Sequence, residues 1–162
     1  MPEARIAGER DLGPMLDLFR HASVSRHVEP LSKAEQIWRQ TVAREGLYVF
    51  VSEAEARIVS TCMLITVPNL LRDGRQHAFI ENVATLPDFQ GRGHGRAVIA
   101  AALQQAWLLD CHHVLLQSGR ADPRVHRFYE GCGFVPGLRT AYCARRPADK
   151  ECGLISAQPD SG

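Results

Sequence analysis

Seven consecutive residues, Gln90-Gly91-Arg92-Gly93-His94-Gly95-Arg96, form the segment of this sequence best suited to hold a charged ligand. Glycine has no side chain to block close approach, so several backbone N–H groups of such a run can turn toward one anion. The following helix adds its positive dipole end, and Arg92 and Arg96 add full charges. A pyrophosphate is the natural guest. Two other phosphate loops are excluded by spacing. A dinucleotide fingerprint needs GxGxxG directly after a strand, but counting from Gly91 the last position is Arg96, and Pro87 to Gln90 intervene. A P-loop needs GxxxxGK before Ser or Thr, and no lysine stands here. Taken alone, the glycines fit a flexible helix-entry turn better than any particular ligand, so the flanking residues must decide.

Glu81 is the carboxylate nearest to this run on the preceding strand. Strand alternation puts it on the face of Val83 and Thr85, and its apolar neighbours would desolvate it and make it a stronger base. A strand carboxylate that merely binds a cationic substrate fits the same residues. The run Cys111-His112-His113 invites a metal, but three successive strand residues point to alternating faces and cannot all ligate one ion, so no metal is expected. His77, His94 and His126 lie near the same segment and read most simply as exposed loop or helix residues.

Something must position these groups. A short strand around Arg5 to Ala7 leads to a helix capped by Asp11, with Leu12, Met15, Leu16 and Phe19 on one face. Ser32 followed by Glu35 is a capping-box pattern for a second helix that stops at Gly46. Leu47 to Ser52 and Arg57 to Val67 read as a hairpin, and Ala78 to Thr85 as the next strand, closed by Pro87. Beyond the glycines, Val98, Ile99, Ala102, Leu103, Ala106 and Leu109 form an apolar helix face. Val114 to Gln117 is a buried strand, Asp122-Pro123 starts a helix that ends at Gly131 and Gly133, and Phe134 with 138–144 supplies a last strand. The order β-α-α-β-β-β-α-β-α-β predicts an α/β fold with a mixed, largely antiparallel sheet flanked by helices.

The 162 residues suit one domain, read as 1–146 with a frayed polar tail over 147–162. Hydrophobic and charged shares of 45% and 23% are those of a soluble globular protein. No apolar run is long enough to span a bilayer, and the N-terminus lacks a secretory pattern. A net charge of +1 gives no field to gather nucleic acid or a membrane surface. Five cysteines without paired spacing fit reduced thiols, so the cytoplasm is the expected compartment.

The stretch Gln90 to Gly95, QGRGHG, fits the QxxGxG pyrophosphate motif of the GNAT superfamily of N-acetyltransferases, and it follows a strand ending ENVATLP. Downstream, Phe128-Tyr129-Glu130-Gly131-Cys132-Gly133-Phe134 resembles the FYExxGF signature of that family. The resemblance runs to about residue 144 and is sharpest over 80–134. It implies a sheet with splayed central strands and acetyl-CoA as acyl donor. The backbone of Val83, Ala84 and Thr85 would lie along the pantetheine arm, and Gln90, Gly91, Arg92, Gly93, His94, Gly95 and Arg96 would hold the pyrophosphate. Tyr129 would face the CoA sulfur and protonate it, a packing aromatic being the alternative, and Glu81 would serve the acceptor amine. Asp122 stands where many relatives carry asparagine, and a carboxylate cannot donate as an amide can. The expected reaction acetylates a small-molecule amine, with peptide or protein N-acetylation and a non-catalytic acyl-CoA sensor as the competing readings. The terminal strands offer a surface for a homodimer.

Overall fold

A computed structural model describes residues 1–22, 24 and 28–146. The expected tail over 147–162 lies outside these residues. Among these residues the α-helices and strands follow in chain order: β1 (Arg5–Ile6), α1 (Leu12–Ala22), α2 (Leu31–Ala43), β2 (Leu47–Ala54), β3 (Arg57–Val67), β4 (Gln76–Thr85), α3 (His94–Leu108), β5 (Cys111–Leu116) and α4 (Pro123–Gly131). The sheet runs β1-β2-β3-β4-β5. All neighbours are antiparallel except β4 and β5, which are parallel and joined through α3, the crossover that parallel pairing demands. The mixed, largely antiparallel class read from the sequence is the one observed.

Local chemistry explains the elements. Glu55 and Ala56 both sit at positive φ, 52° and 58°, which matches the twist of a two-residue hairpin turn between β2 and β3. Between its exposed ends, Arg57 and Val67, β3 is buried or half-buried because each face of the sheet has its own apolar cluster. On one face Phe50, Cys62, Leu64 and Ile80 pack against Val98, Ile99, Ala102 and Ala106 of α3. On the other, Val49, Val51 and Val59 pack against Met15 and Leu18 of α1. The N-terminal segment is fastened by Arg5, whose guanidinium donates to both carboxylate oxygens of buried Asp11 at 2.7 and 2.9 Å and also to Glu53. Among the described residues no helix is long and apolar enough to cross a membrane.

Three expectations need correction. Asp11 does not cap α1 at its start but closes a preceding 3₁₀ turn, accepting from the Gly8 N–H at 2.7 Å. Ser32 lies inside α2, which begins one residue earlier on the carbonyl of Pro30, so it caps nothing. The last strand, expected from Phe134 and 138–144, is not formed: residues 138–144 are exposed and have no ladder partner among the described residues, and with Thr140 the one β-branched residue of the stretch, local preference does not make a strand without cross-strand pairing.

Candidate active site

The site begins where a ladder stops. β4 pairs with β5 from Gln76↔Cys111 to Ile80↔Leu116 and no further, while on its other side it stays paired to β3 as far as Ser60↔Thr85. Among the described residues no strand pairs with this edge of β4 from Glu81 to Thr85, so its outward backbone groups, apart from the Thr85 carbonyl that accepts from Gln90, are free of a ladder and suited to a bound chain. Val83, Ala84 and Thr85 lie on this edge.

A bulge re-aims the strand at its midpoint. Cys62 of β3 faces two residues of β4, Asn82 and Val83, and Asn82 adopts φ 52°, a conformation that asparagine tolerates better than most residues. The extra residue inverts the alternation beyond it. Val83 packs with Ile80 on the α3 side, whereas Glu81 is opposite Met63, which packs on the α1 side. Glu81 thus does not share a face with Val83 and Thr85, and it is exposed rather than desolvated by apolar neighbours.

The glycine segment sits at the end of this open edge. Phe89 and Leu86 are buried and anchor its approach, and Gly91 and Gly93 then adopt φ 74° and 91°, positions at which a side chain would be strained. Gly93 precedes the first residue of α3 and caps it with no side chain, so the N–H groups of the first turn are left without an intrahelical acceptor or a side-chain cap. Gly95 is a close approach: a Cβ there would come within 3.2 Å of the Phe128 ring and 3.3 Å of Thr85 Oγ1, so this glycine lets α3, α4 and the end of β4 meet.

The side chains of the segment divide. Arg92 lies over the Phe89 ring at 5.1 Å. Gln90 folds back, its Nε2 donating to the Thr85 carbonyl at 3.4 Å. Arg96 is turned aside to donate to the Gly131 carbonyl at the end of α4, a favourable place for a cation. His94 is buried rather than exposed in a loop. Nδ1 of His94 lies 2.9 Å from Ser52 Oγ, and its ring stands edge-on to Phe89.

α4 enters the site because Asp122 caps it, accepting from the Arg124 N–H at 2.9 Å, with Pro123 in the first turn. The same carboxylate pairs with the Arg124 guanidinium at 2.8 Å, so the Asp122 oxygens are spent on the helix start. Tyr129, near the other end, is half-buried between Phe128 and Phe134, with ring centroids at 5.1 and 6.2 Å. Burial pushes its phenol above the ordinary value of 10.0, against the pull of Arg120, and Cys132, Cys62 and Glu81 push the same way. A phenol held protonated is a proton donor across the neutral range. Tyr129 and Glu81 flank the open edge from opposite faces of the sheet.

Other reactive groups lie elsewhere. Burial pushes the Cys62 thiol up to about 12, and it donates to the Val98 carbonyl at 3.3 Å, which is the state of a packing residue and not of a nucleophile. His77 contacts His113 at the start of the β4–β5 ladder, with ring centroids 5.3 Å apart. It precedes Val83 by six residues, about 20 Å along a strand. Burial, aided by Arg139, His112, His77 and Arg72, pulls His113 below its ordinary value. His126 is exposed on α4. Among the described residues no group of three or more His, Cys, Asp or Glu is placed to hold a metal ion.

The structure brings the glycine segment, the end of the strand before it and Tyr129 close together, while the Asn82 bulge and the Ser52–His94 contact were not anticipated from the sequence. Asn82 carried a weak signal in its residue type. Ser52 carried none, since a serine ending an apolar strand segment looks like any solvent-facing polar residue.

Known proteins resemble this chain in sequence and fold. Residues 14–134 match the model of the acetyltransferase (GNAT) family. A glucosamine 6-phosphate N-acetyltransferase of Trypanosoma brucei brucei is 30% identical over 135 residues, covering 82% of this chain and 88% of that protein. An aminoglycoside N(6')-acetyltransferase type 1 of Stenotrophomonas maltophilia is 36% identical over 66 residues, 40% of this chain and 42% of its own length. A solved structure from Agrobacterium tumefaciens str. C58 superposes with a TM-score of 0.82 at 40% identity, over 89% of this chain and 99% of the other.

Proposed function

Since this chain belongs to the acetyltransferase (GNAT) family and is an N-acetyltransferase, we propose that it moves an acetyl group from acetyl-CoA to the primary amine of a small molecule, by direct attack within one ternary complex. The observation that carries this reading is the open edge of β4 from Glu81 to Thr85, which ends on an uncapped helix start preceded by two positive-φ glycines.

The residues present fit the donor. Extended backbone with unpaired groups suits an amide-bearing pantetheine arm, and the N–H groups around Gly91 to Gly95 suit a pyrophosphate. When bound, acetyl-CoA supplies an activated thioester. The chain's own residues do the rest. The backbone near Val83 offers an N–H to the carbonyl oxygen as charge develops there. Glu81, exposed on the α1 face, meets the acceptor, holding its ammonium or taking the proton that the nitrogen loses as the N–C bond forms. Tyr129, protonated on the opposite face, gives its hydroxyl proton to the thiolate as the C–S bond breaks. No cysteine ester is required, in keeping with the inert Cys62.

A small amine is favoured over a peptide by the relatives named for glucosamine 6-phosphate and aminoglycosides. The test is a panel of amines that includes glucosamine 6-phosphate, an aminoglycoside and a peptide N-terminus, with thiol release from acetyl-CoA followed and the product weighed by mass spectrometry. Acetylation of a small amine is expected. Turnover with the peptide alone would replace this reading, and CoA binding without turnover on any amine would favour a sensor.

A further inference from the structure

We propose that the His94 side chain is a positioning residue for acetyl-CoA, fixing the glycine turn to β2 and to the N-terminal segment through Ser52. The inference rests on the reading that this turn holds the CoA phosphates. His94 is the first residue of α3, yet its imidazole points into the protein and is only 7% exposed. Nδ1 lies 2.9 Å from Ser52 Oγ, and Ser52, itself 1% exposed, lies 2.7 Å from the Glu3 carbonyl. A carbonyl can only accept, so the single hydroxyl proton of Ser52 goes to Glu3. Nδ1 must then carry the imidazole proton and donate to Ser52, which leaves one direction for the relay: His94 Nδ1–H to Ser52 Oγ–H to the Glu3 carbonyl. The same N-terminal segment lies beside the turn, since a Cβ on Gly93 would stand 3.4 Å from Pro2. Four residues separate the buried Phe89 from His94, and two of them, Gly91 and Gly93, are the most pliable residues available. A buried hydrogen bond at the end of that pliable stretch sets where the phosphate-facing N–H groups lie.

The experiment measures the Kd of CoA by calorimetry, together with KM for acetyl-CoA and kcat, in Ser52→Ala, His94→Leu, the double variant and His94→Asn, whose amide can still donate. Ser52→Ala and His94→Leu are each expected to weaken CoA roughly tenfold and to raise KM for acetyl-CoA while kcat stays within about twofold. The double variant should be no worse than either, and His94→Asn should recover most of the affinity. If His94→Leu does not fold, Ser52→Ala and His94→Asn still decide. A folded Ser52→Ala protein that has lost melting temperature but binds CoA like wild type overturns the proposal, as does an additive double variant. Wild-type protein that fails to bind CoA overturns both this inference and the reading beneath it.

Discussion

Two regions of the molecule are built differently. At the proposed donor end, the close of β4, the glycine turn, the start of α3 and the second half of α4 are locked by short contacts: Ser60 Oγ to Thr85 Oγ1 at 2.8 Å, Gly95 against Phe128, and His94 on Ser52. In contrast α2, the 68–75 loop and the segment after Phe134 present exposed apolar side chains, among them Leu31, Ile37, Leu70, Leu71 and Leu138. A donor common to a whole family can be met by rigid backbone geometry, whereas an acceptor that varies must be met by surface side chains that can change without disturbing the core. Chemistry that belongs to the donor end should therefore respond to single atoms there.

The largest effect is expected from Tyr129→Phe, which keeps the ring among Phe128 and Phe134 and removes only the hydroxyl. Turnover should fall about 10²- to 10⁴-fold, with CoA affinity and melting temperature nearly unchanged. Because burial raises the Tyr129 phenol above 10.0, its proton donation persists through the neutral range and is lost only as pH rises past that value. An alkaline loss of kcat centred well below pH 10 must come from another group. Near-normal turnover in the variant would make Tyr129 a packing residue.

Next comes Gly93→Glu, which forces a side chain onto φ 91° and puts negative charge in the nest. Wild-type protein should gain about 2.7 kcal/mol of stability at a hundredfold excess of CoA over its Kd, read as a rise in melting temperature. The folded variant should show no rise; an unchanged rise would remove the turn from the donor site.

Glu81→Gln probes the boundary between the two regions. Glu81 as base should cost roughly tenfold in kcat at low pH and less at high pH, where the free amine is abundant without help. A loss confined to the acceptor's KM would make Glu81 a binding group, and an unaltered pH profile with normal rates would take it out of the site.

The elements of the proposed donor end were legible in the sequence because their signals are local. Glycines at fixed spacing, a strand ending ENVATLP and a helix carrying Phe128 and Tyr129 are each readable from neighbours in the chain. The bulge was not legible, since it is set by the register between Cys62 and Asn82–Val83, two segments far apart in sequence, and one inserted residue reversed the face of everything beyond it. The burial of His94 was hidden for the same reason: its partner is 42 residues away. The expected strand over 138–144 failed because composition states a preference for pairing and cannot supply a partner.

The smallest effect on turnover is expected from Asp11→Asn, which lies far in function from the donor chemistry but fastens β1 to the start of α1. Arg5 chiefly holds the Asp11 carboxyl below its ordinary value of 3.8, against the opposing cost of burial, with help from the Gly8 N–H. A carboxylate whose value is lowered on folding stabilises the fold above its unfolded value, and that contribution is lost as pH falls through the folded one. Asparagine keeps the shape and removes the charge. Arg5 is part-exposed and retains Glu53, so the loss should be modest, about 1–2 kcal/mol at neutral pH, seen as a lower midpoint in urea. The gap between wild type and variant should then narrow as the solution is acidified below pH 4, while kcat and both KM values stay within about twofold throughout. A gap that is constant from pH 7 to pH 3 would mean that packing, and not the Arg5 pair, accounts for the contribution of Asp11. A fall in kcat at neutral pH would show that the fastening of β1 reaches the open edge of β4 after all.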